Sequence, residues 1–257
     1  MLVSSVWVWA LIQKDNSVMD IAYGPIFALA SSVVLLQSGT TNVFAIGVVM
    51  VVILWALRLG IRIGRKNLGK PEDERYANWR QQWSARSRSY FIWRSYLQIY
   101  LLQGTIIGLV SAPLVLAITF ANQLQPTIFV LGVGIALSGL LYETIADVQL
   151  DRFLARKKAG TEPATIMQHG LFTYSRRPNY FGELTVWWGL AIAACTAPYG
   201  YIAFVGPLTI TYIITKVTGP MLETIFLERY PEAYTKYMKE TNYIIPNFFK
   251  RQTESGH

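Results

Sequence analysis

The stretch HGLFTYSRRPNYFGE, from His169 to Glu183, places charged and hydrogen-bonding side chains directly before a strongly apolar segment. Pro178 disfavours a helical conformation at the residue before it, so the sequence predicts a helix that begins at Asn179 or Tyr180 and continues through FGELTVWWGLAIAAC. The first turn of this helix carries Asn179 and Glu183 four residues apart, on one face. Because a carboxylate inside an apolar segment is costly, Glu183 favours a ligand site over a purely structural role.

Two arginines, Arg176 and Arg177, stand just before this turn. Guanidinium groups beside a helix N-terminus suit a phosphate, whereas a carboxylate one turn deeper suits an amide or hydroxyl donor. The stretch therefore predicts a binding site for a ligand with an anionic end and a neutral polar end. The alternative is that the arginines anchor the protein at lipid headgroups, while Asn179 and Glu183 cap or bridge helices.

Long apolar runs separated by short polar turns indicate a membrane protein, in agreement with an apolar content of 53%. We predict an all-α, polytopic membrane fold with about seven transmembrane helices and short interfacial helices on the cytosolic side, forming one integral membrane domain over residues 1–257. The predicted spans are Leu2–Gln13, Ile21–Gln37, Val43–Ile63, Leu97–Ala121, Thr127–Ala146, Tyr180–Thr196 and Tyr199–Val217. Leu2–Gln13 is shorter than the roughly 20 residues that a spanning helix needs.

The positive charges, which give a net charge of +8, are clustered along the chain. Basic residues concentrate at 58–94, 152–177 and 216–251, whereas the turns at 38–42, 122–126 and 197–199 carry no charge. This alternation predicts that the basic connections are cytosolic. No nucleic-acid-binding motif accompanies these charges, so we expect no nucleic-acid partner. The single cysteine and the two histidines also argue against a metal site.

Proline and acidic residues give further local predictions. Glu143 and Asp147 lie one turn apart at the end of the fifth span, and their face continues to Asp151. Pro113 predicts a kink in the fourth span, and Pro231 predicts a break between two amphipathic helices. The segment YIIPNFF is expected to fold back onto the protein, and Glu223 and Tyr234 are candidates to close over a bound ligand.

Several motifs together carry a family resemblance. They are EDERY at Glu72, QG at Gln103, ETIADVQ at Glu143, and YSRxPNYFGE at Tyr174, which runs on into a WWG sequence. In this order they resemble the steroid 5-alpha-reductase superfamily, with its C-terminal domain matched over about residues 95–250. The most similar branch contains bacterial and lower-eukaryotic membrane proteins.

The resemblance implies a membrane reductase that binds NADPH from the cytosolic side and reduces a lipophilic enone, such as a steroid, sterol or other lipid, taken from the bilayer. It would reside among membrane lipids as a multi-pass protein of the bacterial inner membrane, or of the endoplasmic reticulum if eukaryotic. The cofactor positions that the resemblance implies are Glu143, Asp147, His169, Tyr174, Asn179, Tyr180 and Glu183, and the phosphate candidates are Arg58, Arg62, Arg152 and Arg176.

The sequence departs from the family pattern at two places. Arg177 stands where this branch usually has histidine, and Trp55 falls near the position of a substrate-polarising tyrosine. Asp20 and Tyr23, at the start of the second span, are the residues that could replace this tyrosine in polarising the substrate carbonyl. They are our candidate catalytic residues. One alternative is a relative of the isoprenylcysteine carboxyl methyltransferases, which use S-adenosylmethionine. Another is a non-catalytic membrane scaffold that binds lipid.

Overall fold

The computed structural model describes residues 2–67 and 69–249, and the regular elements within these residues are helices. The only bridge between extended segments in this part of the chain joins Ser175 to Asn242. The α-helices are α1 (Leu2–Gln13), α2 (Val18–Ser38), α3 (Val43–Asn67), α4 (Glu74–Ser84), α5 (Arg88–Ser95), α6 (Leu102–Val110), α7 (Ala112–Thr119), α8 (Pro126–Lys158), α9 (Pro178–Ala194), α10 (Val205–Tyr212), α11 (Gly219–Arg229) and α12 (Pro231–Glu240).

Four helical segments are long and apolar enough to cross a membrane: Val18–Ser38, Val43–Asn67, Pro126–Lys158 and Gly200–Arg229. A fifth span results if Arg88–Val110 and Ala112–Thr119, which meet at a 44° bend, are counted as one. The all-helical membrane class is therefore supported, whereas the predicted count of seven spans is not confirmed. The helices that account for the difference are α1 and α9, which have 12 and 17 residues.

Proline positions were predicted well from the sequence. The bend between α6 and α7 lies immediately before Pro113, and α12 begins at Pro231, so both predicted breaks are confirmed. Helix α9 starts at Pro178, one residue before Asn179, the earlier of the two predicted starts. Proline is favoured at the first position of a helix because the N–H that it lacks would have no partner inside the helix. The carbonyl of Arg177 accepts the first helical bonds, from Tyr180 and Phe181.

The helices fall into two compact units, and the single-domain assignment stays a prediction. The first unit comprises Met1–Val133 and Leu190–Thr209. Its core includes the contact of α2 with α3, where Phe27 and Trp55 meet edge to face with ring centroids 5.4 Å apart. Both side chains are at most 1% exposed. A Cβ on Gly24 would lie 3.0 Å from the Ala56 carbonyl oxygen, so glycine allows the two backbones to approach.

The second unit comprises Gly134–Gly189 and Ile210–His257. Helices α8 and α9 touch there through glycines: a Cβ on Gly182 would lie 2.6 Å from the Cβ of Glu143, and one on Gly139 would lie 2.7 Å from the Val186 amide nitrogen. This close approach brings the acidic face of α8 next to the first turns of α9.

The C-terminal segment folds back onto the loop before α9, as predicted. The Arg176 amide donates to the Asn242 carbonyl at 2.8 Å, and the Asn247 amide donates to the Tyr174 carbonyl at 3.0 Å. The fully buried Ser175 hydroxyl donates to the Ile244 carbonyl at 2.7 Å. The segment therefore fixes the backbone of the loop that carries the two arginines.

Candidate functional site

Two carboxylates are buried on α8 in the second unit. Glu143 and Asp147 are each 5% exposed, whereas Asp151, one turn further along, is exposed. The predicted row of three acids therefore divides into two buried members and one solvated member. Burying a carboxylate is costly unless hydrogen bonds or a cation compensate for lost water. Two such groups one turn apart indicate a polar site inside the unit.

The first turns of α9 complete this polar region. Gly182 packs directly against Glu143, and its neighbour Glu183 accepts a 2.9 Å hydrogen bond from the indole nitrogen of Trp187. Asn179 lies one turn before Glu183. The structure thus brings the acidic face of α8 next to the first turns of α9 at Gly182.

Arg176 is held by a network of its own. Its Nη2 donates to Glu223 Oε2 at 2.7 Å, and its Nη1 donates to the carbonyl oxygens of Met238 and Thr241. Glu223 also accepts a 2.5 Å bond from the Tyr234 hydroxyl. Burial and this bond raise the pKa of Tyr234 to about 12. Glu223 and Tyr234 were predicted to close over a ligand, and here they bind Arg176 and each other.

The other predicted cofactor residues lie at different depths. In the second unit, Arg152 and His169 are exposed, whereas Tyr174 and Tyr180 are half-buried. The Tyr174 ring packs on Phe248. In the first unit, the half-buried Arg58 and Arg62 lie four residues apart on α3. Their roles in cofactor binding stay predictions.

A second polar site lies in the first unit, around the predicted catalytic residue Asp20. Its carboxylate accepts a 2.6 Å hydrogen bond from the Tyr76 hydroxyl and a 3.1 Å bond from Arg75 Nη2. Gln103 Nε2 lies 3.5 Å from the same hydroxyl. Tyr23, the other predicted catalytic residue, packs its ring edge to face with Phe27, with ring centroids 5.3 Å apart.

Tyr76 is therefore a candidate functional residue that sequence reasoning did not assign. Burial, together with the charge of Asp20 and the hydrogen bond to it, holds the pKa of the Tyr76 hydroxyl well above its usual range. Tyr76 keeps its proton at ordinary pH and presents it to Asp20. The available signal was its place at the end of the EDERY motif.

A cavity of about 330 Å³ lies within the second unit. Its wall comes from the end of α8, the loop around Ile166, the start of α9, and the junction of α11 and α12. Arg176, Arg177 and Asn179 line it, whereas Glu143, Asp147 and Glu183 are not among its lining residues. The cavity and the buried carboxylates are thus separate features of the unit. Among the described residues, no group of three or more potential metal ligands occurs.

Comparison with protein families gives a match over most of the chain. A family model described as "Protein of unknown function (DUF1295)" matches residues 6–241. The chain belongs to the DUF1295 family. The matched range contains both polar sites of this DUF1295 protein, from Asp20 to Tyr234. No curated protein and no solved structure matches the chain.

Proposed function

We propose that this protein is an NADPH-dependent membrane reductase that reduces the C=C bond of a lipophilic conjugated carbonyl compound. The proposal includes membership of the steroid 5-alpha-reductase superfamily. It also includes seven membrane helices, with α1 and α9 as the two short ones, and basic connections on the cytosolic side.

The observation that carries the proposal is the burial of Glu143 and Asp147 on the face of α8 that packs against α9. A nicotinamide carboxamide offers two N–H donors and one acceptor, which suit buried carboxylates and an amide such as Asn179. Arg152, in the same unit, is an arginine that could meet a phosphate, and the roles of Arg58 and Arg62 in the first unit stay predictions. The side chains present therefore fit the chemistry of this cofactor.

The reduction also needs a proton, and Asp20 with Tyr76 supplies a group that can provide it. When bound, the reduced nicotinamide supplies a hydride to the β-carbon of the enone. As electron density moves to the carbonyl oxygen, a hydroxyl proton held between Tyr76 and Asp20 stabilises the developing charge. The pair then gives this proton to the enolate, which becomes the saturated carbonyl product with the new C–H bond at the α-carbon, and the pair takes a proton from water in return.

Cofactor binding tests the proposal. The detergent-purified full-length protein is titrated calorimetrically with NADPH and, separately, with S-adenosylmethionine. We expect NADPH alone to bind. Asp147→Asn should weaken NADPH binding about tenfold or more because a charge-assisted hydrogen bond is lost. Asp151→Asn, which changes an exposed carboxylate on the same helix, is the matched control and should bind NADPH normally.

Two other results would contradict the proposal. Binding of S-adenosylmethionine without NADPH would favour a methyltransferase. Binding of neither compound, by protein that unfolds cooperatively, would favour a lipid-binding scaffold.

A further inference from the structure

The cavity of the second unit has a cationic wall. Its lining residues include Lys157, Arg176, Arg177 and Arg229, and they include no aspartate or glutamate. Arg176 is neutralised by Glu223, and Lys157 Nζ donates to the carbonyl oxygens of Ala164 and Thr165. Within the described part of the chain, Arg177 and Arg229 form no ion pair with a carboxylate. The wall therefore carries two arginines that no carboxylate of the described residues pairs with.

Arg177 is the side chain that most clearly lacks a ligand. Its Nε and Nη2 atoms are buried, and neither has a hydrogen-bond partner among the residues that the structure describes. The guanidinium carbon lies 4.8 Å from the centroid of the Phe226 ring, which also lines the cavity. Buried donors are rarely left without acceptors, and a guanidinium presents its donors as a fork that matches phosphate or carboxylate oxygens.

The rim of the cavity is apolar and open. Leu154 and Ile225 line the cavity, yet they are 53% and 46% exposed. Both belong to helical segments, Pro126–Lys158 and Gly200–Arg229, that qualify as membrane spans. An exposed apolar rim beside these two arginines suits a ligand that joins an anionic group to hydrocarbon chains. It suits a free phosphate or a nucleotide less well, because neither would cover the apolar rim.

We propose that this cavity binds the phosphate of an anionic membrane phospholipid, with Arg177 and Arg229 holding the headgroup and the acyl chains lying along Leu154 and Ile225. The binding is non-covalent and does not depend on the reductase activity. It assigns a role to Arg177 at the position where the resemblance leads one to expect histidine.

Native mass spectrometry of the delipidated, detergent-solubilised protein tests this site. The probes are phosphatidylglycerol, phosphatidylcholine, inorganic phosphate and adenosine 2′,5′-bisphosphate, and each is titrated alone. We expect phosphatidylglycerol to bind about tenfold or more tightly than phosphatidylcholine. Arg177→Gln and Arg229→Gln should each remove most of this preference. Arg229 is exposed, so its replacement leaves the packing of the unit intact.

Arg86→Gln is the matched control, because Arg86 is an exposed arginine over a tyrosine ring, as Arg229 is. It removes one positive charge outside the cavity and should leave the phosphatidylglycerol preference unchanged.

Three outcomes would overturn the proposal. Equal binding of the two lipids shows that the site does not select charge. A preference that survives both cavity substitutions places the lipid elsewhere. Binding of phosphate or adenosine 2′,5′-bisphosphate that depends on Arg177, without phosphatidylglycerol binding, assigns the site to a soluble anion. NADPH affinity is measured on the same variants. Normal NADPH binding without a phosphatidylglycerol preference would overturn only the lipid site, whereas loss of NADPH binding by the wild-type protein would overturn only the reductase proposal.

Discussion

Arg176 and Glu223 form an ion pair at 2.7 Å whose side chains are only 8% and 13% exposed. The pair links the loop before α9 to α11. Glu223→Ala would leave the guanidinium without its counter-charge, and losing one partner of a buried pair costs about 3–5 kcal/mol of folding stability. Thermal unfolding in detergent, followed by circular dichroism, should show a marked fall in midpoint. Arg156→Ala, which removes a side chain 51% exposed and paired with Glu162, should have a much smaller effect, and equal effects would argue against a structural role for Glu223.

Glycine at position 182 is required by the contact between α8 and α9. A Cβ there would lie 2.6–2.8 Å from the Cβ, amide nitrogen and Cα of Glu143, so Gly182→Ala must push the two helices apart. We expect the free energy of unfolding to fall by about 1–3 kcal/mol, which would be measured as a lower unfolding midpoint. Gly134→Ala is the control, since a Cβ at that site meets nothing within 4 Å. It should keep or raise stability, by up to about 1 kcal/mol, through its better helix propensity. A Gly182→Ala protein as stable as wild type would refute the close contact.

Asp20 and Tyr76 act together in the proposed reduction, so each should be needed for turnover. Asp20→Asn and Tyr76→Phe should lower the rate of NADPH oxidation with a 4-en-3-one steroid by about 100-fold or more, since general acid catalysis contributes about 10²–10⁴-fold. NADPH affinity should stay unchanged in both variants. Tyr23→Phe tests whether the Tyr23 hydroxyl, which was predicted from the sequence, is needed in addition to the Tyr76 hydroxyl that is bonded to Asp20. A large loss in Tyr23→Phe together with normal turnover in Tyr76→Phe would reverse the assignment.

Stability should fall at high pH because of Tyr234. Its pKa in the folded protein is raised to about 12 by burial and by the bond to Glu223, from an ordinary value near 10. The unfolded chain therefore loses this proton first. The stabilisation is complete below pH 10 and is lost as the pH rises towards 12. Unfolding midpoints measured from pH 9 to 12 should decline less steeply in Tyr234→Phe. An unchanged slope would show that Tyr234 does not contribute to the decline.

Local sequence rules predicted much of the helical structure. Helix α1 has the predicted bounds, α3 begins at the predicted Val43, and Pro113 and Pro231 mark a bend and a break. These features depend on neighbouring residues and on the restricted backbone of proline. The number of spans is a different question, because short helices such as α1 do not reach the length that identifies a transmembrane helix unambiguously.

The partners of polar side chains were much harder to predict, because contacts between distant residues set them. The sequence shows that Glu143 and Asp147 share one helix face, but Asp151 shares that face and is exposed, so the sequence alone did not specify which of the three is buried. The bond of Asp20 to Tyr76 joins residues 56 positions apart, and the pairing of Arg176 with Glu223 joins residues 47 positions apart. No periodicity specifies such pairs. For the same reason, the two neighbouring arginines looked equivalent in sequence, although only Arg176 is neutralised by a carboxylate.

The backbone bonds between residues 174–176 and residues 242–247 have a consequence for biosynthesis. The loop that carries Arg176 and Arg177 cannot form these bonds until residues 242–247 have left the ribosome. Assembly of this loop therefore follows synthesis of the segment after α12, and a truncation upstream of Asn242 would remove the backbone bonds that hold residues 174–176 in place.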